Sequence, residues 1–458
     1  FRVFFLLAMA GNLGLIVAQD MVSFYFGFAL MGLSAYGLIA NAASRRARRA
    51  ARTYLAWTIA GELLLFTAII SLAASNGGAL SFDALQSIPR SPLTVLLLIA
   101  GFGIKLALPL LHWWLPPVYA VTPVAAVAVF SGVMIKAGLL GLLRFLPPGE
   151  ATPAGWGMLL VVIGAATIFF GVIAGLLQKR PRLLLGYSSI SKMGVLTTGL
   201  GAALAFPTAA PGIVAALLVY ATHHALAKTA LFLGLGLVER SNLRLSLLIG
   251  LGFLALVLAG APLSSGALAK SALSDSLSQA APVLVTLLAA STLATTLLMV
   301  RFMFLLWSRR RQGIMPLPGV PLSAWLVLVS LIMALPFVLA GIDQLMINII
   351  PVALGLLLGL VGIRFGSHIY PVLIGGRKRV GIQALSSPLR AALRHELKNR
   401  RFDNTLQGIA LTLAAYQRQA GEWLARLQCH TESARRPLTG ALWLGIAGGL
   451  LGAFAAAT

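Results

Sequence analysis

Five side chains of this sequence could do chemistry because their surroundings are apolar. Lys105, Lys136, Lys228 and Lys270 each stand inside a long hydrophobic run, and Glu62 lies well inside another, TYLAWTIAGELLLFTAII. A lysine at the centre of a membrane helix costs about 2.5 to 3.5 kcal/mol on insertion scales, so these positions are expected to face protein or water, not lipid. Among the eleven acidic residues only Glu62 is so placed, the rest falling in predicted loops, helix ends or an amphipathic segment. An isolated carboxylate in hydrocarbon neutralises or finds a partner, and the partners on offer are these lysines. Such a set can gain and lose protons as its pairing changes, which is the chemistry of a relay. The bland readings are a structural ion pair at Glu62 and snorkelling at Lys228.

Further polar groups stand near the lysines. His224 precedes Lys228 by one helical turn, and only one of the adjacent pair His223 and His224 is expected to face inward with it. His112 follows Lys105, and the run GYSSISKMG offers Tyr187, Ser188, Ser189 and Lys192 as relay support or as helix-packing groups. No metal, cofactor or catalytic centre is expected. His223-His224 lacks the carboxylate spacing of a metal motif, and His112 has no second axial ligand. Cys429, the one cysteine, can neither close an internal disulfide nor hold an iron–sulfur cluster.

The elements that must position these groups are membrane helices. The chain is 59% hydrophobic and 10% charged over 458 residues, and its apolar runs recur from end to end. Helices are expected at 2–18, 21–40, 53–73, 92–115, 118–145, 155–177, 184–206, 211–237, 245–272, 280–308, 321–342, 344–364 and 438–457. A net charge of +24 would point to nucleic acid in a soluble protein. Here the basic residues cluster in short loops, after 40, 177, 237, 308 and 364, so no nucleic acid is expected. All these loops come after even-numbered helices, which places them on one side, the cytoplasmic side of a bacterial-type inner membrane under the positive-inside rule. The opening apolar run is too continuous with the next apolar run to be a signal peptide, so the chain is expected to begin inside a longer gene product.

Two of the runs carry interruptions beside a lysine: Pro109 after Lys105, and Pro262 with Gly266 before Lys270. They lie five helices apart, an odd number, so two five-helix units in series would have opposite orientation. Interrupted helices at matching positions of inverted units point to an ion site near the bilayer midplane. The expected organisation is a first repeat at 1–145, an inverted repeat at 146–308, two further helices at 309–364, a basic lateral helix region at 365–437 and a last span at 438–458. Between 388 and 428 the spacing of Leu389, Leu393, Leu397, Phe402, Leu406 and Ile409 describes an amphipathic helix.

At these residues the chain resembles the antiporter-like, proton-translocating membrane subunits shared by respiratory NADH:quinone oxidoreductase, membrane-bound hydrogenases and multisubunit cation/proton antiporters. GFGIKLALPLLHWWLP resembles that family's lysine-proline-histidine-WLP segment, and SGVMIKAGLLGLLRF its following lysine helix. LLQKRPRLLLGYSSISKMG, HHALAKTALFLGLG and APLSSGALAK resemble its AYSS, histidine-alanine-lysine and second broken helices, in order. The resemblance implies two inverted repeats, each a half-channel, joined by a polar axis. In it Lys105 is the first broken-helix lysine, Lys136 the connecting lysine, His224 and Lys228 the central pair, and Lys270 the exit-side residue. Glu62 stands after Gly61 where some branches carry an acid.

Three positions depart from the pattern. Ala29 stands where the family usually has the glutamate that pairs with the broken-helix lysine, Lys192 replaces histidine or a small polar residue, and Arg180 stands near the usual aspartate. The implied function is proton or cation translocation within a larger energy-coupled complex, by way of Glu62, Lys105, Lys136, His224, Lys228 and Lys270. Its partners would be other membrane subunits and a soluble or peripheral energy-coupling subunit. Alternatives are a sodium/proton antiporter subunit, a membrane subunit energising a soluble partner such as an inorganic-carbon uptake enzyme, and a scaffold with a vestigial relay.

Overall fold

Short polar side chains decide where several helices begin. The computed structural model describes residues 1–374 apart from 86–87, 150–151, 153, 240–243, 309–318 and 340–347. After α1 (Arg2–Val17), Asp20 caps α2 (Met21–Ala40) by accepting from the amides of Val22 and Ser23. Ser44 caps α3 (Arg45–Ser75) in the same way through Ala47. Ser91 caps α4 (Pro92–Leu106), whose first residue is a proline with no amide hydrogen to leave unpaired. Then come α5 (Leu115–Val121), α6 (Val124–Gly132), α7 (Ala137–Phe145), α8 (Ala154–Leu176), α9 (Pro181–Ala205), α10 (Ala210–Val238), α11 (Arg244–Ala259), α12 (Ser265–Ser278), α13 (Pro282–Trp307), α14 (Gly319–Leu339) and α15 (Ile349–Ile374). Among the described residues the only strand-like pairing is an isolated bridge between Asp20 and Ser81.

Seven stretches of the described residues are long and apolar enough to span a bilayer, with four shorter apolar helices beside them. The protein is a multi-pass helical membrane protein. The chain divides into two compact units, and every site group below lies in the one containing Phe1–Ile363. The expected lateral helix and last span lie outside the described residues.

Four expected helices are corrected. The third begins at Arg45, not 53, so Arg45, Arg46, Arg48, Arg49 and Arg52 occupy its first turns. The Ser44 cap and the strong helix preference of arginine and alanine carry it out past the apolar run. The fourth stops at Leu106, where Ala107 turns left-handed at φ 56, and residues 107–114 are not regular helix. The fifth is divided into α5, α6 and α7, with a single 3₁₀ turn at Met134–Lys136 between the last two. The ninth breaks into α11 and α12 at Gly260, φ 92.

α1–α4 pack together with α7, and α8 packs on α9 and α13. α10 lies against α6, α9, α11 and α12, and α5 against α3 and α9, so the two groups of helices join along α5, α6, α9 and α10. The tightest seam is α8 on α9. Gly157, Gly164 and Gly171, one heptad apart, face Gly194 and Gly201, and a Cβ on any of them would fall within 2.6 Å of the opposing backbone. Small residues let membrane helices approach this closely, where packing rather than a hydrophobic drive holds them. This seam fixes α9, which carries Ser188, Ser189 and Lys192.

Gly164→Val should cost about 1 to 3 kcal/mol by overpacking. Thermal unfolding in detergent would show it as a lowered midpoint, while Gly155→Ala, with no neighbour within 4 Å, should leave the midpoint unchanged.

Candidate functional site: a buried chain of lysines at helix interruptions

The first cluster forms where α4 ends. Lys105 is in the last turn of α4, at the negative end of that helix dipole, and is buried. Its Nζ donates to the Tyr54 hydroxyl at 3.2 Å, and that hydroxyl donates to the Gly32 carbonyl at 3.0 Å. The rings of Phe28 and Tyr54 lie 5.3 and 5.5 Å from Nζ, within cation–π range. The Ile104 carbonyl, next to the break, accepts from the Trp114 indole at 2.7 Å.

Glu62 reaches the same place from α3. Both carboxylate oxygens are buried and make no hydrogen bond. A Cβ placed on Gly32 would lie 3.2 Å from Glu62 Oε1 and 3.4 Å from Lys105 Nζ, so the two groups converge on one point of α2. Gly32 is one helical turn from Ala29. Beside the pair is a cavity of about 10 Å³ bounded by Tyr54, Thr58, Glu62, Lys105 and Trp114, about the room one water needs.

The second cluster centres on α9 and α10. Lys136 ends the 3₁₀ turn after α6 and donates to the Ser131 and Gly132 carbonyls at 2.6 and 2.5 Å, the last carbonyls of that helix. Ser131 Oγ meets Ser189 Oγ at 2.8 Å, and Ser189 donates to the Leu185 carbonyl, which also accepts from Lys228 Nζ at 2.9 Å. Two serines thus link the surroundings of two lysines on different helices. Lys270, inside α12, folds back across the break and donates to the Ala259 carbonyl, the end of α11. Only glycine fits at position 260: its φ is 92, and a Cβ there would meet the Lys270 side chain at 2.7 Å.

His223 Nδ1 pairs with Ser265 Oγ at 2.9 Å, tying α10 to the first turn of α12. The expectation that one histidine of the pair faces inward is corrected, since His223 and His224 are 2% and 0% exposed. Helices pack around much of α10, so both faces are interior. Both ring nitrogens of His224 and the hydroxyls of Ser188 and Ser191 are buried without a hydrogen-bond partner.

Lys192 is more central than its sequence context indicated. It is 1% exposed, donates to Thr295 Oγ1 of α13 at 2.6 Å, and interacts electrostatically with His223, His224, Lys228 and Lys270. Tyr187 is half-buried and packs edge-on to Phe170 of α8, ring centres 6.3 Å apart. His112 sits in the α4–α5 connection between the rings of Trp113 and Phe170, at 5.6 and 4.7 Å. Sequence reasoning missed Tyr54, Ser131, Ser265 and Thr295; hydroxyls in apolar runs were the only signal for them. No group of three metal-ligating side chains forms among the described residues.

Tyr54→Phe removes the hydroxyl that serves both Lys105 and Gly32. A loss of about 1 to 3 kcal/mol is expected, read as a lower denaturation midpoint of the purified protein.

Residues 18–293, more than half of the chain, match the family described as NADH:quinone oxidoreductase/Mrp antiporter, transmembrane. Hydrogenase-4 component B of Escherichia coli (strain K12) is 30% identical over 243 residues, 50% of this chain and 36% of that protein. NADH-quinone oxidoreductase subunit N of Desulforudis audaxviator (strain MP104C) is 34% identical over 250 residues, 51% of this chain and 47% of that one. The chain therefore spans less than half the length of these relatives. Among solved structures, the Mrp complex from Dietzia sp. DQ12-45-1b aligns with a TM-score of 0.70 at 21% identity, over 93% of this chain and 52% of that one. The membrane-bound sulfane sulfur reductase, an archaeal respiratory membrane complex, aligns at 0.64 and 20% identity over 77% of each chain. At these identities the structural likeness is one of fold.

Proposed function

Because the chain belongs to the NADH:quinone oxidoreductase/Mrp antiporter transmembrane family, we propose that it is a proton-translocating subunit of a larger membrane complex. Protons pass along Glu62, Lys105, Lys136, His224 with Lys228, and Lys270, and Lys192 joins the central group. The observation that carries this reading is the convergence of Glu62 and Lys105 beside Gly32. It supplies, from α3, the carboxylate that Ala29 lacks on α2.

The driving physics is charge repulsion and pairing at low dielectric. Two ammonium groups about 4 Å apart would repel by about 4 kcal/mol at an effective dielectric of about 20, falling in inverse proportion to distance. A proton arriving on one lysine therefore lowers the affinity of the next. Lys105, beside Glu62 and the π faces of Phe28 and Tyr54, stands at the entrance of the path. The unpartnered His224, Ser188 and Ser191 are where water completes the path between the lysines. The two groups of helices are read as inverted repeats, each contributing one interrupted helix. The basic segments lie on the cytoplasmic side of a bacterial-type inner membrane. Other membrane subunits and a peripheral energy-coupling subunit complete the complex.

Sodium exchange is the weaker reading, because a hard cation needs clustered oxygen ligands. Among the described residues the site has one carboxylate, and its hydroxyls and carbonyls at Ser131, Ser189, Leu185 and Thr295 already accept from lysines or from one another.

Proton uptake by the intact complex in sealed vesicles, followed with a pH-sensitive dye, tests the reading. Glu62→Gln should lower the rate at least about tenfold, as severely as Lys105→Ala, and Ala29→Glu should restore part of the loss in Glu62→Gln. Near-normal transport in Glu62→Gln would sink the role of Glu62, and intact complex activity in both Lys105→Ala and Lys270→Ala would establish a scaffold instead. Lys192→Met gives a second check. Replacing a buried charge by an apolar side chain of similar length should leave the melting temperature unchanged or raised while transport falls.

A further inference from the structure

α1, α7 and α10 line a half-open groove of about 590 Å³, within the range of small-molecule sites. Its walls are helix faces: Leu15 and Ile16 from α1, Leu139 and Leu140 from α7, Val214 and Leu218 from α10. The polar groups on it are Asn12, Gln19, Lys136, Arg144 and Thr222, two of them cationic and none acidic. Arg144 is committed to the end of α1, donating to the Ala18 and Ile16 carbonyls at 2.5 and 2.6 Å. Lys136 spends two of its three N–H groups on the Ser131 and Gly132 carbonyls, which leaves one for a ligand. Asn12 is 3% exposed, lines the cavity, and its side chain makes no hydrogen bond to any described residue. The same cavity is lined by Lys136, so the amide and the ammonium open onto one space.

We propose that this groove binds a long-chain carboxylate drawn from the bilayer, a free fatty acid, with its head group on Lys136 and Asn12 and its chain along the apolar walls. The depth of the site selects this chemistry. Lys136 lies midway along the candidate span Val124–Phe145, far from the level where a phospholipid keeps its phosphate. A phosphodiester cannot shed its charge to reach that depth. A carboxylic acid can: it enters neutral, and where Lys136 is unprotonated the carboxyl O–H breaks as a new N–H forms on Nζ, leaving an ion pair. That pair holds the proton on Lys136. The groove is thereby an inhibitory site, a consequence that rests on the relay reading, whereas the binding itself does not.

The test uses the intact complex in vesicles of pure phospholipid, with a photoreactive diazirine derivative of palmitic acid as probe. Labelling should map to α1, α7 and α10, compete with palmitate and not with methyl palmitate, and fall about tenfold in Asn12→Leu. Ala221→Trp, which fills the groove, should abolish labelling and make whatever proton transport remains insensitive to palmitate. Labelling spread over the lipid-facing helices, equal competition by the methyl ester, or no labelling because a phospholipid chain or partner helix covers the groove would each overturn the proposal. Saturable labelling of the groove without inhibition would uphold the site and remove Lys136 from the relay.

Discussion

The structure depends on one constraint: a helix interrupted inside a bilayer frees carbonyls that neither water nor the next turn satisfies. The chain meets it with lysine. Lys136 takes the last carbonyls of α6, and Lys270 takes the last carbonyl of α11. At the end of α4 the indole of Trp114 takes the Ile104 carbonyl, and Lys105 sits in the same negative helix end. Each contact lowers two penalties at once, the orphaned carbonyl and the buried ammonium. At Lys136 and Lys270 the interruption and the lysine are therefore one device.

Carbonyl dipoles are weaker partners than carboxylates, and that difference shapes the electrostatics. An ammonium held by a full counter-charge is trapped; one held by dipoles and a π face can give up its proton at modest cost. The second cluster contains four lysines and two histidines, arranged around α9 and α10. Glu62 stands apart from them, beside Lys105. The one carboxylate of the site therefore stands at one end, beside Lys105, while the lysines of the second cluster are held by carbonyls and a hydroxyl.

Such an arrangement needs a rigid frame, because the serine contacts that bridge Lys136 and Lys228 tolerate little displacement. The heptad of glycines along α8 and α9 supplies it by bringing two backbones into contact. Arginines fasten the ends: half-buried Arg144 holds the end of α1, and buried Arg90 binds the carbonyls of Leu85 and Phe145 at the end of α7. At the outer ends of α9 and α10, Arg182 pairs with Glu239 at 2.6 Å. These charges anchor the helix ends, away from the lysines within.

The sequence by itself determined that the chain is a bundle of membrane helices, that Pro109 and Pro262 mark interruptions, and that Glu62 and the lysines are interior, because hydrophobic length and intramembrane charge are properties of a single run. It did not determine where the interruptions end. Ser44 carries α3 beyond its apolar stretch, and Ala107 and Gly260 stop helices through backbone angles that depend on what packs around them. Only tertiary structure brought Tyr54 to Lys105, 51 residues away, Ser131 to Ser189, and Thr295 to Lys192, 103 residues away. A hydroxyl in an apolar run reads alike whether it bonds its own helix or a lysine on another, and the choice is made by which faces meet. For the same reason tertiary packing moved Lys192 from a supporting position to contact with Thr295 within the charged group, and set Tyr187 against Phe170.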